Sequence, residues 1–223
     1  MYDLPSPIGT KVAQSHVIRA SANALGLPLF EGHSSPPAPE PVSITWEEFV
    51  HDLGTRAESL VGRRLDEETY VTQVAEQLQR VDPLTIPPWN ALPRHQLWEV
   101  SEFWLAEGTG FPPHDHRLYN GVIFVLEGRI HIRSYDIVNS ERTPPAGRRV
   151  CIRETGNRVL VAGECSTLTT TRDNIHAVRG GPGGCRLLDI FTWLGLFPQS
   201  VYLEVEEHPI ESGPNIYWAS FID

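Results

Sequence analysis

The chain has 223 residues, of which 40% are hydrophobic and 21% charged, so a folded globular protein is expected rather than a disordered one. Its 18 basic and 28 acidic residues give a formal net charge of −10, which argues against a nucleic-acid partner, because nucleic-acid-binding domains usually carry a basic surface. No apolar run reaches the roughly 18–20 residues of a membrane span, so no membrane partner is expected. Three widely spaced cysteines, without a CxxC pair, favour a cytoplasmic location over a disulfide framework.

The first 90 residues divide into two segments of different character. Residues 1–44 are predicted to form an irregular arm, because four prolines and two serines crowd the linker over residues 31–42. Residues 45–90 are predicted to form a helical cap that buries one face on the rest of the protein.

Local signals place two helices in this cap. Thr45 and Glu48 have the spacing of a capping box, which starts the first helix, and Gly62 can end it. A second helix is predicted over residues 66–81, where apolar residues recur at every fourth position. Its Glu67-Glu68 pair is interpreted as solvated charge.

From residue 95 onward the hydrophobic period changes to the alternation that is typical of strands. Short β runs follow one another without intervening helices, and Gly, Pro, Asn and Asp separate them. The runs cover residues 97–104, 121–126, 129–135, 150–152, 159–161, 168–171, 187–192 and 201–205. This pattern predicts an all-β domain over residues 91–223, an antiparallel barrel or sandwich that follows an N-terminal helical segment.

Two of the nine histidines stand two residues apart, in the stretch PPHDH. Residues i and i+2 of a strand point to the same face, so His114 and His116 can aim both imidazoles at one point. His176, which lies between two later β runs, is the best candidate for a third ligand, whereas His131 is interpreted as a surface histidine. Three such ligands leave coordination positions open for substrate and O2, as in non-haem iron oxygenases. The alternative for a lone HxH is an exposed polar strand face.

The spacing around this pair resembles the first cupin motif, G-x5-H-x-H-x4-E-x6-G. Gly108, His114, His116 and Gly128 occupy the expected positions, but Gly121 replaces the glutamate. The predicted ligand set is therefore three histidines without a carboxylate. Three neutral imidazoles leave the full charge of a divalent metal in place, so an anionic ligand such as a thiolate can bind without building excess negative charge.

Three segments resemble the thiol dioxygenases of the cysteamine dioxygenase and plant cysteine oxidase type. They are FPPHDHRLYNGVIFVLEGRIHIRSYD (111–136), RDNIHAV (172–178) and RLLDIF (186–191). The resemblance implies a cupin-type β-barrel, a mononuclear Fe(II) cofactor held by the three histidines, and oxidation of a thiol to a sulfinic acid by O2. The Pro-Pro-Tyr that follows Leu-Asp-Ile in the family is replaced here by a segment that begins Phe-Thr-Trp.

Three further residues are candidates for catalytic roles in the substrate pocket. Asp189 lies in an otherwise apolar strand, where a carboxylate is costly unless it is paired or faces a cavity. The resemblance suggests that Asp189 meets a substrate ammonium, and a structural hydrogen bond to a loop is the alternative. Tyr119 is placed either at the open side of the metal or in the barrel packing. Tyr202 is the candidate for the phenol that the family places near its substrate.

The leading hypothesis is an Fe(II)-dependent thiol dioxygenase whose partners are a small thiol, or an N-terminal cysteine, and O2. The alternatives are a three-histidine iron dioxygenase that cleaves a carbon–carbon bond and a non-catalytic cupin that binds a metal. No arginine stands between Leu97 and His114, where cysteine dioxygenases carry the guanidinium that binds a substrate carboxylate. The expected substrate is therefore a thiol that bears an amine without a nearby carboxylate, such as cysteamine or a peptide's N-terminal cysteine.

Overall fold

The computed structural model describes residues 43–138, 149–210 and 213–222. The predicted irregular arm over residues 1–44 lies outside these ranges except for its last two residues, and its proline-rich linker lies wholly outside them. Within the described ranges, no helix combines the length and the apolar character that crossing a bilayer requires.

Two helices form where the capping signals predict them. Helix α1 spans Trp46–Val61 and helix α2 spans Glu67–Leu78. The Thr45 hydroxyl accepts a hydrogen bond from the Glu48 N–H at 3.2 Å, the Glu48 carboxylate accepts one from the Thr45 N–H at 2.7 Å, and Gly62 is the C-cap. The predicted capping box is confirmed.

Helix α2 is shorter than the sequence predicts. It ends at Leu78 rather than Val81, because the chain beyond it pairs with the segment before α1. Val81 forms an isolated bridge with Ile44, and the Asp82 N–H donates to the Ile44 carbonyl at 2.9 Å.

In the described part of the chain, eight strands follow after two short 3-10 segments at Pro83–Thr85 and Trp89–Ala91. The strands are β1 (Trp98–Leu105), β2 (Gly110–Arg117), β3 (Tyr119–Ile137), β4 (Arg149–Val161), β5 (Cys165–Leu168), β6 (Ile175–Trp193), β7 (Gln199–Val205) and β8 (Ile216–Phe221).

The strands pair in antiparallel ladders that close on themselves. The pairings β2–β7, β7–β8, β8–β4, β4–β3, β3–β6 and β6–β2 link six strands into a ring. β1 adds to β6, and β5 adds to β3. The predicted all-β fold, an antiparallel barrel behind an N-terminal helical segment, is confirmed, whereas the domain boundary between residues 90 and 91 stays a prediction.

Strand β5 differs from its prediction over residues 168–171. It ends at Leu168, because the next two side chains bind helix α2 instead of continuing the ladder. Thr169 donates to Glu68 at 3.1 Å and Thr170 donates to Glu67 at 2.5 Å. The interpretation of Glu67-Glu68 as solvated charge is therefore incomplete: Glu68 is half-exposed, but both carboxylates accept hydrogen bonds from the segment after β5.

Three apolar clusters hold the fold. The first lies between the two helices and the sheet and joins residues such as Phe49 and Val74 to Leu188. The second, which includes Ile123 and Val178, borders the site described below. The third packs the strands around β8. Since each enclosed aliphatic side chain contributes about 1.5–3 kcal/mol, these clusters can stabilise the barrel without the site.

Candidate metal centre

Two antiparallel strands bring the three predicted histidine ligands together. β2 carries His114 and His116, and its register places His114 opposite His176 on β6. One nitrogen of each ring lies within 4.8 Å of the other two, and Nε2 of His116 is 3.2 Å from Nε2 of His176. All three residues are buried.

A proline-proline irregularity in β2 sets the orientation of His114. The register on β6 shifts between Phe111 and His114, at two prolines that have no N–H to give to a ladder. The Pro112 carbonyl accepts a hydrogen bond from Nδ1 of His114 at 2.9 Å. Nδ1 therefore carries the proton, and Nε2 keeps the lone pair that a metal needs.

Burial keeps the three imidazoles neutral. Desolvation lowers the pKa of His114. The pKa values of His116 and His176 lie well below the ordinary value, first because of desolvation and then because of the neighbouring imidazoles. Three close, uncharged nitrogen donors are a ligand set that suits a divalent transition metal. The residues present therefore fit such an ion.

Gly121 stands on β3 at the position of the cupin glutamate. A Cβ built on it would lie 3.6 Å from the Leu168 side chain and 3.7 Å from Oδ1 of Asp189. The missing side chain leaves open the space in front of the Asp189 carboxyl group.

A small cavity of about 140 Å³ adjoins the histidines. Its lining joins His114 and His176 to mainly apolar and aromatic side chains. The other lining residues are Phe103, Phe111, Tyr119, Ile123, Val178, Leu187, Asp189, Phe191, Ser200 and Tyr202. No arginine or lysine is among these described residues, so a substrate carboxylate would find no cationic partner in this cavity.

Asp189 faces this cavity from β6. The residue is 7% exposed, and none of the described residues forms a hydrogen bond with its Oδ1. Burial raises the pKa of Asp189 to about 8. A buried carboxyl group without a partner is a place where a cationic group of a ligand gains a strong interaction.

The raised pKa of Asp189 predicts how stability depends on pH in the metal-free protein. Between the ordinary value of 3.8 and about 8, the folded protein keeps a proton that the unfolded chain has lost, so stability falls as pH rises through this window. The fall is about 1.4 kcal/mol per pH unit for one group. We expect Asp189→Asn to match the native protein near pH 4 and to exceed its stability at pH 8, as measured by urea unfolding. Equal destabilisation at both pH values would contradict this.

Tyr119 lies at the start of β3, between a candidate ligand and the cavity. Its ring centroid lies 4.4 Å from that of His116, so it packs against a candidate ligand while it lines the cavity. Its hydroxyl hydrogen-bonds the Ser200 hydroxyl. Burial raises the pKa of Tyr119, so the phenol stays protonated at neutral pH.

Tyr202 stands at the mouth of the cavity. It lies opposite His114 in the β2–β7 register, with ring centroids 5.7 Å apart, and it is 42% exposed. Ser200, two residues earlier, lies opposite His116 and is missed by the sequence analysis. The i, i+2 spacing of Ser200 and Tyr202 on one strand face was the available signal.

His131 lies away from the candidate centre. It is exposed, donates a hydrogen bond from Nε2 to Oδ1 of Asn157 at 2.5 Å, and lines a separate cleft of about 840 Å³. Its placement agrees with a surface histidine.

The chain matches a known protein family. The PCO_ADO family model matches residues 66–193, which is more than half of the chain and includes the three histidines, Tyr119 and Asp189. A search of curated proteins gave no match.

Several solved structures are similar in fold. A cupin superfamily protein from Desulfitobacterium hafniense is 18% identical, with a TM-score of 0.32, over 47% of this chain and 74% of that chain. An RmlC-like cupin from Shewanella frigidimarina is 21% identical, with a TM-score of 0.32, over 44% and 68%. Recombinant pro-11S globulin of pumpkin is 10% identical, with a TM-score of 0.36, over 47% and 23%. The chain thus spans about a quarter of the length of this seed globulin.

Proposed function

The chain belongs to the PCO_ADO family, the plant cysteine oxidase and cysteamine dioxygenase family, and from that premise we propose that it is an Fe(II)-dependent thiol dioxygenase. The reaction adds both atoms of O2 to the sulfur of a thiol and yields a sulfinic acid. Family membership and the three-histidine cluster in a cupin barrel support a cupin thiol dioxygenase in general. The iron, the substrate and the product are our proposal.

His114, His116 and His176 would hold the iron. Bound Fe(II) supplies the redox chemistry and the open coordination positions that a thiolate and O2 require. Among the described residues, the candidate ligand cluster has three neutral donors and no carboxylate, and position 121 is glycine. An anionic thiolate is then the ligand that best offsets the charge of the ion.

The cavity side chains would orient the substrate and exclude water. Aromatic residues such as Phe111 and Phe191 make most of the wall apolar, and the volume of about 140 Å³ suits a thiol of a few heavy atoms or the first residue of a peptide. Tyr119 would fix the orientation of the His116 ring, and Tyr202 would cover the cavity mouth.

Asp189 would select the amine of the substrate. Its carboxyl group holds a proton in the empty cavity, and it would release that proton when an ammonium group binds. Because no arginine or lysine is among the described lining residues, a carboxylate on the same substrate would be unpaired. Cysteamine, or the N-terminal cysteine of a peptide, has the required amine without a free carboxylate beside it.

The observation that carries this proposal is the buried three-histidine cluster beside a cavity whose described lining holds one carboxyl group, with no hydrogen-bond partner on its Oδ1, and no arginine or lysine. The test is O2 uptake by Fe(II)-loaded protein with cysteamine, a peptide that begins with cysteine, free cysteine and 3-mercaptopropionate. We expect the first two to be consumed fastest, with a product mass increase of two oxygen atoms.

Two results would contradict the proposal at different levels. Faster turnover of 3-mercaptopropionate than of cysteamine would contradict the amine preference and leave the thiol dioxygenase in place. Iron binding without O2 uptake for any thiol would instead support a non-catalytic metal-binding cupin or a dioxygenase for another substrate class.

A further inference from the structure

The loop over residues 169–174, here the clamp loop, ends beside the candidate metal centre. Its last residue, Asn174, donates from its side-chain amide to the His116 carbonyl at 2.8 Å and to the Thr169 carbonyl at 3.2 Å. Its main-chain carbonyl accepts a hydrogen bond from the His116 N–H at 3.2 Å. Asn174 therefore holds both main-chain polar groups of a candidate ligand.

This contact lies at the end of the ladder that carries the histidines. β2 and β6 pair at His114–His176 and at Asp115–Ile175. The hydrogen bonds between Asn174 and His116 form the next connection between the two strands. Nε2 of His116 and Nε2 of His176 approach to 3.2 Å across this short ladder. Because His116 lies at the end of this ladder, a displacement of His116 would directly change the distance between the two Nε2 atoms.

Helix α2 fastens one side of the clamp loop. The hydroxyl of Thr170 donates to Glu67 at 2.5 Å, and Nε of Arg172 donates to Glu68 at 2.9 Å. These partners are more than 100 residues apart in sequence. The first turn of α2 thus holds a loop that belongs to the barrel.

Strand β3 fastens the other side. The Asp173 N–H donates to Asp136 at 2.6 Å, and the Asp173 carboxylate accepts from Arg172 at 2.7 Å. Asp173 has a φ of 52°, a left-handed conformation that persists when surrounding contacts determine it. Because helix α2 and strand β3 both hold the clamp loop, the side-chain amide of Asn174 has a fixed position relative to His116.

We propose that Asn174 is a positioning residue that sets the spacing between His116 and His176, with the clamp loop and helix α2 as its support. The inference rests on the proposed function only in that the three histidines bind a divalent metal. Residues that orient ligands without touching the metal typically account for about 10–100-fold in metal affinity.

The experiment measures metal binding without thiol or O2. Asn174→Asp keeps the side-chain shape but places an acceptor against two carbonyls, and Asn174→Ala removes the two side-chain hydrogen bonds. The matched control is Asn157→Asp, at an exposed asparagine on β4 that binds His131. Co(II) affinity and the visible spectrum of the Co(II) form are compared, with thermal unfolding as a check on the fold. We expect a 10–100-fold loss of affinity and an altered spectrum in both Asn174 variants, and neither change in the control.

A folded Asn174→Asp protein with native affinity and spectrum would overturn the inference. If neither Asn174 variant folds, Glu68→Gln carries the test, because Glu68 is half-exposed and acts only on the clamp loop. A severalfold loss of Co(II) affinity is then expected, and unchanged affinity would overturn the inference.

Native protein that binds Co(II) in this way but oxidises no thiol would contradict the proposed function and leave the role of Asn174 intact. Native protein that binds no divalent metal would overturn both.

Discussion

Alanine at His114, His116 or His176, one at a time, is expected to remove bound iron and to lower thiol oxidation by more than about a hundredfold. Loss of a residue that merely orients a ligand already costs about 10–100-fold, so loss of the ligand itself must cost more. The fold should persist, because the apolar clusters that border the site contain none of the three histidines. Iron content, O2 uptake and thermal unfolding of each purified variant check this.

The matched control is His131→Ala. His131 lies on the same barrel but is exposed and hydrogen-bonds Asn157, so its removal should change neither iron content nor activity. Loss of iron in His131→Ala, together with retention in His176→Ala, would show that the third ligand is assigned to the wrong residue.

The parts of the fold that could be predicted from the sequence are those that depend on residues close together in the chain. The capping box of Thr45 and Glu48 is contained in four residues, and its geometry follows from hydrogen bonds within one helical turn. The HxH pair follows in the same way from the alternation of side chains along a strand. Neither prediction requires knowing which other segments pack against the helix or the strand.

The third histidine depended on more than local pattern. His176 lies 60 residues from His116, and only the β2–β6 register brings their rings together. Periodicity does not determine the register of two distant strands, so His176 was a candidate only from its place between two β runs and from the RDNIH resemblance. Because His114 pairs with His176, the end of the RDNIH segment lies on the strand beside β2.

The misjudged residues share a physical cause. Glu67 and Glu68 look like surface charge in the sequence, because their partners in the clamp loop are more than 100 residues away. Ser200 was missed although it stands two residues before Tyr202 on the same strand, because its hydrogen-bond partner Tyr119 lies on another strand. Polar contacts between distant segments depend on how the barrel brings those segments together, and the local pattern of the sequence does not determine this.

Asp189→Asn is expected to raise the KM for cysteamine by about ten- to a hundredfold at pH 8. The carboxylate and the ammonium would form a charge-assisted hydrogen bond worth about 1.5–3 kcal/mol, and the amide is nearly the same size but carries no charge. The native KM should also fall as pH rises from about 6.5 to about 8, since burial raises the pKa of Asp189 and only its ionised form pairs with the amine. The variant should lose this pH dependence.

The matched control for Asp189 is a substrate rather than a second mutation. 2-Mercaptoethanol has the length of cysteamine with a hydroxyl in place of the amine, so its KM should be nearly the same in the native protein and in Asp189→Asn. An equal rise in KM for both thiols would mean that Asp189 shapes the cavity without binding the amine. A rise for cysteamine alone separates charge recognition from packing, because both enzymes present the same apolar wall of Phe111 and Phe191 to either thiol.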